Sequence, residues 1–431
     1  MRFLSTRDRA HVVDLSTAIR RGLAPDGGLY VPEHTPRIAL DAWPATGDLR
    51  AMGRVLLEPF FAGDALHAEL GAVLDDAFTF PAPLVDVSNA PGPLRVLELF
   101  HGPTSAFKDF GARFLAATLE RLPRDDSRRI TILVATSGDT GGAVAAAFYR
   151  RAWVDVVILY PAGLVSERQA QQLACWGRNV RTLRVNGTFD DCQRLVKASF
   201  ADPALTGRLQ LSSANSINIG RLLPQMVYYA AASLALWRRD RQPASFIVPS
   251  GNLGNVLACL WAREIGLPIG HVVMSTNANH TVTDFLRTGR WEPRASVPTL
   301  ASAMDVGDPS NMERLRWAFP DFAERGAKVT AMAIDDEEIR TTIRRDAKEL
   351  GQTWCPHTAT AAAVYRRLSP ELRALPWTVV ATAHPAKFDD VVEPLVGRPI
   401  AVPAALEALL TLPRIETTID ANLDAVRAQL A

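Results

Sequence analysis

SFIVPSGNLGNVLACLWAREI, residues 245–265, holds a strand, a turn and a helix with nothing between them. SFIVPS is a short apolar, β-branched run of the kind that forms a buried strand. NVLACLWAREI carries its apolar residues at helical spacing. Between them Gly251, Asn252, Leu253, Gly254 and Asn255 make a glycine-bounded turn that opens straight into the helix. The same handover recurs along the chain. RITILVA (129–135), VDVVILY (154–160), VRTLRV (180–185), HVVMST (271–276), KVTAMAI (328–334) and WTVVATA (377–383) alternate with segments such as TGGAVAAAFYRR. Strand and helix in alternation predict an α/β fold with parallel sheet covered on both faces. Ligands of such sheets bind where strands end and helices begin, so the turns are where chemistry is expected.

The bulk properties narrow the classes. At 431 residues, 48% apolar and 22% charged, the chain can bury a large core across two or three domains. Its 47 basic and 46 acidic side chains nearly cancel, so no global field draws nucleic acid or an anionic membrane. Cys175, Cys192, Cys259 and Cys355 are scattered, with no CxxC pair; free thiols, no metal site and a reducing compartment are expected. The first residues, MRFLSTRDRAHVVD, lack the apolar core of a signal peptide, and MVYYAAASLALW is too short for a membrane span. A cytoplasmic protein is expected. Residues 1–90 read as a helix-leaning, turn-rich region and residues 396–431 as a helical tail.

Four further stretches carry candidate chemistry. HGPTSAFKDFGARF, residues 101–114, sets Lys108 between Phe107 and Phe110 at the start of a helical pattern. An amine held in so apolar a place favours its neutral, nucleophilic form, although a surface lysine would also fit. ATSGDTGGAV, residues 135–144, puts Ser137, Asp139 and Thr140 in a turn before a helix, as ligand contacts or as a cap. SSANSINIGRLLPQ, residues 212–225, gathers Ser216, Asn218 and Arg221, where the arginine could grip a phosphate or carboxylate or only cap its helix. ATAHPAKFDD, residues 381–390, brings Thr382 to a strand end with His384, read as structural, and Lys387 beyond it.

The 251–255 turn can point backbone N–H groups at a phosphate, with the helix dipole behind them. It is neither GxGxxG nor a P-loop, which disfavours a dinucleotide or nucleoside triphosphate. One lysine in an aromatic turn, one phosphate nest and one strand-end hydroxyl together suggest a phosphate-bearing aldehyde cofactor held as a Schiff base.

These residues also carry a family resemblance. GLAPDGGLYVPE (22–33), LFHGPTSAFKDFGARF (99–114), ATSGDTGGAV, SINIGRLLPQ, PSGNLGN, AMDVGDPSN (303–311) and ATAHPAKF occur in order over residues 22–388. In them the chain resembles the threonine synthases of the shorter bacterial and fungal type. The resemblance implies fold type II of the pyridoxal-phosphate enzymes, like the tryptophan synthase β chain. It divides residues 91–395 into two α/β subdomains, the smaller over roughly 125–225. It makes Lys108 the lysine that carries pyridoxal 5'-phosphate and moves protons. It gives the cofactor phosphate to Gly251–Asn255, the ring nitrogen to Thr382, and the region of the ring hydroxyl to Asp139. Thr104, Ser137, Thr140, Ser216, Asn218 and Arg221 are candidates for the substrate phosphate and carboxylate.

The implied reaction turns O-phospho-L-homoserine and water into L-threonine and phosphate. The alternative on the same fold is a phospholyase that releases 2-oxobutyrate, ammonia and phosphate from O-phosphohomoserine or O-phosphothreonine. A silent, metabolite-sensing homologue is disfavoured by the intact Lys108, nest and Thr382. Two positions depart from the family pattern: Ser105, where an apolar residue is common, and His280 in NANHTV, where an acidic one is. A monomer or homodimer acting on a small molecule is expected.

Overall fold

The computed structural model describes residues 1–123, 128–163, 165–320 and 328–430. Three sheets organise them. Near the N-terminus β1 (Phe3–Ser5), β2 (Val12–Val13) and β3 (Tyr30–Pro32) form a small antiparallel sheet in the order β2-β1-β3.

The larger sheet contains β4 (Leu84–Asp86), β5 (Leu94–Glu98), β10 (Ala244–Pro249), β11 (Ile269–Thr276), β12 (Val329–Ala333) and β13 (Trp377–Ala381). Its order is β12-β11-β10-β13-β5-β4, parallel except for the β4 edge. All six residues of β10 are buried, as befits a strand paired on both sides and covered on both faces.

The second sheet is wholly parallel, in the order β14-β8-β7-β6-β9. It consists of β6 (Ile130–Ala135), β7 (Val154–Pro161), β8 (Val180–Asn186), β9 (Gln210–Ser213) and β14 (Thr417–Asp420).

Each of the seven strand runs quoted from the sequence coincides with a strand. The tail expected to be helical does not hold as such: β14 lies within it and pairs in register with β8, Thr417 opposite Leu183 and Asp420 opposite Asn186. TTID has no apolar run, and only Ile419 is buried, so periodicity gave no sign of it. The boundary expected near residue 125 falls outside the described residues.

β5 also escaped the reading, because LRVLE contains two charges. The fold accommodates the first: Arg95 is buried and pairs with Asp86 and Asp240, both at 2.9 Å. No helix among the described residues is long and apolar enough to cross a membrane. All four cysteines are free and buried.

Candidate active site

The segments that follow β6, β9, β10 and β13 line one cavity of ≈ 160 Å³, to which both larger sheets contribute. Of the sequence-predicted residues, Lys108, Ser137, Asp139, Thr140, Ser216, Arg221, Gly251, Asn252, Leu253, Gly254, Asn255 and Thr382 line it.

Lys108 is the first residue of the helix Lys108–Arg121. The turn before it is stitched to the end of β13: Phe107 N–H donates to Thr382 O at 2.8 Å, and His384 N–H to Ser105 O at 3.0 Å. Ser105 takes the left-handed conformation with φ +54°, and its buried hydroxyl has no partner. Such a conformation costs a non-glycine residue energy and is kept only where its surroundings enforce it.

Phe110, fully buried, packs on Phe80 and Tyr228 with ring centroids 4.7 and 5.3 Å away. The amine of Lys108 lies 6.0 Å from the centre of the Phe107 ring. Burial pushes its pKa down to about 8; Asp139 pulls the other way, while Arg221 and Lys387 add to the depression. Lys108 is part-buried and lines the cavity, so its surroundings favour the neutral amine.

The 251–255 loop is tightly built. Gly251 is required, since a Cβ there would stand 2.7 Å from Met304 Cα. Leu253 adopts φ +63° to turn the chain into the helix Gly254–Ile265. Asn252 Nδ2 donates to Ser216 Oγ at 2.7 Å, and its Oδ1 accepts from Ser310 N–H at 2.6 Å. Asn255 Oδ1 accepts from both Tyr228 and Tyr229 hydroxyls at 2.7 Å, which leaves its buried Nδ2 with no protein acceptor.

A buried donor without a partner is costly, and here it sits at a helix N-terminus whose first N–H groups also need acceptors. An anion such as a phosphate would satisfy both. The nest, the Lys108 amine and the Thr382 hydroxyl thus fit a phosphate-bearing aldehyde cofactor.

Gly254 differs from Gly251. A Cβ on it would meet Ser216, Asn311 and Gln225 only at 3.6–3.9 Å, so the fold tolerates one. Gly254→Ala is expected to keep the wild-type melting temperature. Gly251→Ala must displace the Met304 backbone, costing about 1–3 kcal/mol and weakening cofactor affinity by at least about tenfold. Thermal melts of the cofactor-free proteins and cofactor titration by absorbance separate the two; equal behaviour would remove the distinction.

Two candidates, Thr104 and Asn218, are not among the residues that line the cavity. The N–H and hydroxyl of Thr104 both bind Asp109, at 2.8 and 2.6 Å, and so close the turn ahead of Lys108. Asn218 caps the short helix Ile219–Leu222 through Gly220 N–H, and its amide donates to Ile19 O and Ser213 O. Both are wholly buried polar residues whose hydrogen bonds are spent on the fold.

Arg221 lines the cavity. Burial lowers its pKa to about 10, Nη1 donates to Ala214 O, and Nε has no partner. His384 takes the structural place expected of it: Nδ1 accepts from Ala386 N–H at 3.2 Å and the ring packs against Phe100. His280 pairs with Asp284 at 2.8 Å on the surface, outside the cavity lining.

Sequence reasoning missed three groups. Lys387 is fully buried and ion-paired to Asp139 at 2.8 Å. Burial opposes ionisation of Asp139, but Lys387, Lys108 and His357 together hold its carboxyl below the usual range. Asp305 lines the cavity with its pKa raised to about 6 by burial, against hydrogen bonds from Thr299 and Asn277. His357, on the helix Pro356–Arg367, accepts from Ala303 N–H at 3.0 Å through Nε2. The HTA of WCPHTAT follows no strand run, so nothing local pointed to it.

Burial pushes the His357 pKa down to about 4 from 6.5. Between those values the unfolded chain binds the proton that the folded one refuses, so stability falls as pH drops through that window. About 3 kcal/mol is expected to be lost near pH 4 relative to neutrality. Denaturant unfolding of the native protein and of His357→Gln at both pH values checks this; equal pH slopes would refute it.

Comparison with known proteins gives the family. A family model described as pyridoxal-phosphate dependent enzyme matches residues 78–383. Models for the threonine synthase N terminus and C-terminal part match residues 2–78 and 358–430. The threonine synthase of Haemophilus influenzae is 41% identical over 423 residues, covering 97% of this chain and 96% of that protein. The chain belongs to the threonine synthase family.

Solved structures of the family superpose closely. The crystal structure of threonine synthase from Escherichia coli has a TM-score of 0.91 at 38% identity, covering 100% of this chain and 99% of that one. The pyridoxal-phosphate-bound threonine synthase from Brucella melitensis gives 0.90 at 34% identity, covering 100% and 98%. The architecture is fold type II, and the cofactor of this family member is pyridoxal 5'-phosphate.

Proposed function

We propose that the chain converts O-phospho-L-homoserine and water into L-threonine and phosphate, a carbon–oxygen lyase reaction. The observation that carries this reading is the meeting, in one cavity, of a lysine amine lowered to about 8 and a buried guanidinium with a free Nε. An amine that sheds its proton near neutrality suits repeated proton transfer. A dry guanidinium suits an oxyanion that leaves.

In this scheme Gly251–Asn255, with Asn255 Nδ2, hold the cofactor phosphate. Thr382 offers an uncharged hydroxyl to the ring nitrogen, and Asp139 lies on the side of the ring hydroxyl. Pyridoxal phosphate, when bound, supplies an electron sink for charge left on the carbon that bears the substrate amine. Lys108 Nζ takes the proton from that carbon and, once protonated, returns one to a carbon further along the substrate. Arg221 grips the substrate phosphate, and Ser137, Thr140 and Ser216 share the remaining substrate oxygens. Four buried free thiols suit a reducing, cytoplasmic setting.

The test is incubation of the cofactor-loaded protein with O-phospho-L-homoserine. Threonine and phosphate are expected in equal amounts. 2-Oxobutyrate and ammonia as main products would replace this reading with the phospholyase one.

A further inference from the structure

Two amines, those of Lys108 and Lys387, feel the same carboxylate, that of Asp139. Lys387, with no exposed surface, places Nζ 2.8 Å from Asp139 Oδ1 and 2.7 Å from Thr104 O. Asp139 Oδ1 also accepts from Gln169 Nε2 at 3.2 Å. Lys108 closes no ion pair with Asp139 among the described residues, although the carboxylate's field reaches it.

The other charged or titratable groups facing this cluster leave that competition unchanged. Burial keeps His357 and His384 neutral near pH 7, each with one ring nitrogen engaged as an acceptor. Cys355, next to it, has its thiol pushed up by burial. Both oxygens of Asp109 are taken by Thr104, and Arg221 adds only positive charge.

A buried carboxylate must find a cation, since an unpaired one is several kcal/mol too costly. With Lys387 absent, the nearest amine able to answer Asp139 is Lys108, and a lysine so paired keeps its proton. We infer that Lys387 is a positioning residue: it occupies Asp139, so that Lys108 is left without an ionic partner and reacts as the free base. Lys387 also holds the carbonyl of Thr104, whose side chain closes the turn ahead of Lys108, so it steadies the same amine through the backbone.

The inference rests on Lys108 being the reactive amine, and the experiment keeps the two apart. The cofactor-free protein is trace-labelled with acetic anhydride over a range of pH, and each lysine's reactivity is followed by peptide mass spectrometry. Exposed Lys197 and Lys348 serve as internal references. If Lys108 titrates like the references, its assignment as the reactive amine fails.

If instead its midpoint lies near 8, Lys387→Met is expected to raise it by about one unit, so that about tenfold less Lys108 reacts below that pH. Adding Asp139→Asn to Lys387→Met should reverse the rise, and Lys387→Arg should keep the native midpoint. An unchanged midpoint in folded Lys387→Met overturns the inference, as does a rise that survives the second substitution. Should Lys387→Met not fold, Asp139→Asn alone decides: removing the carboxylate must lower the Lys108 midpoint, and an unmoved midpoint overturns the inference.

Discussion

Replacing Lys108 with alanine is expected to leave the chain folded and to abolish threonine formation. The side chain is only part-buried and lines an open cavity, so its loss opens no hole in the packed core. The melting temperature of the cofactor-free protein should change little. The rate should fall by about 10⁴-fold or more, because covalent anchoring and proton transfer are lost together. Product analysis after long incubation measures the fall. Borohydride reduction of the native, cofactor-loaded protein, followed by peptide mapping, identifies the anchoring amine independently. A pyridoxyl group on Lys387 or any other lysine would remove Lys108 from its role.

The second large effect concerns Arg221. Gly111 lets the helix of Lys108 approach it so closely that a Cβ there would come within 2.7 Å of Arg221 O and 2.9 Å of its Nε. The guanidinium is thus pressed between that helix and the cavity, with one nitrogen on Ala214 O and Nε unmatched. A charge-assisted bond to an anion contributes roughly 1.5–3 kcal/mol. If it strengthens as phosphate leaves, Arg221→Ala should lower kcat by about 10–100-fold in fully loaded enzyme. Arg221→Lys should be impaired as well, since a point charge cannot both hold the carbonyl and reach the anion. Steady-state kinetics with cofactor occupancy fixed by absorbance decide this. Unchanged constants would leave Arg221 as a packing residue only.

The site-bearing strands β6, β10 and β13 were legible because each is a buried apolar run rich in β-branched residues, and parallel pairing leaves no polar face to blur it. β5 and β14 were not, since one hides charges in ion pairs and the other buries a single side chain. The same contrast runs through the site. Lys108 and the 251–255 loop stand in dense local motifs whose residue types state their chemistry. Thr104 and Asn218 have the right types in the right motifs, yet they spend their hydrogen bonds on Asp109 and on backbone carbonyls. A type cannot reveal how its bonds are spent. Lys387 was the converse: a lysine quoted at a strand end without a role, whose partner Asp139 is distant in sequence and near only in the fold.

The place of β14 bears on how the protein comes off the ribosome. Asn186 and Asp420, neighbours across the β8–β14 pair, are 234 residues apart in the chain. β8 therefore waits as an unpaired sheet edge while all of the intervening chain is made, at about 5–20 residues per second. Leu183 and Val185, later packed in one cluster with Ile419, Val426 and Leu430, lack those neighbours through the same interval. Vectorial synthesis thus completes the larger sheet first and leaves the smaller one to a late, nearly whole-chain step. Chaperone demand and misassembly of the nascent chain should concentrate at that edge.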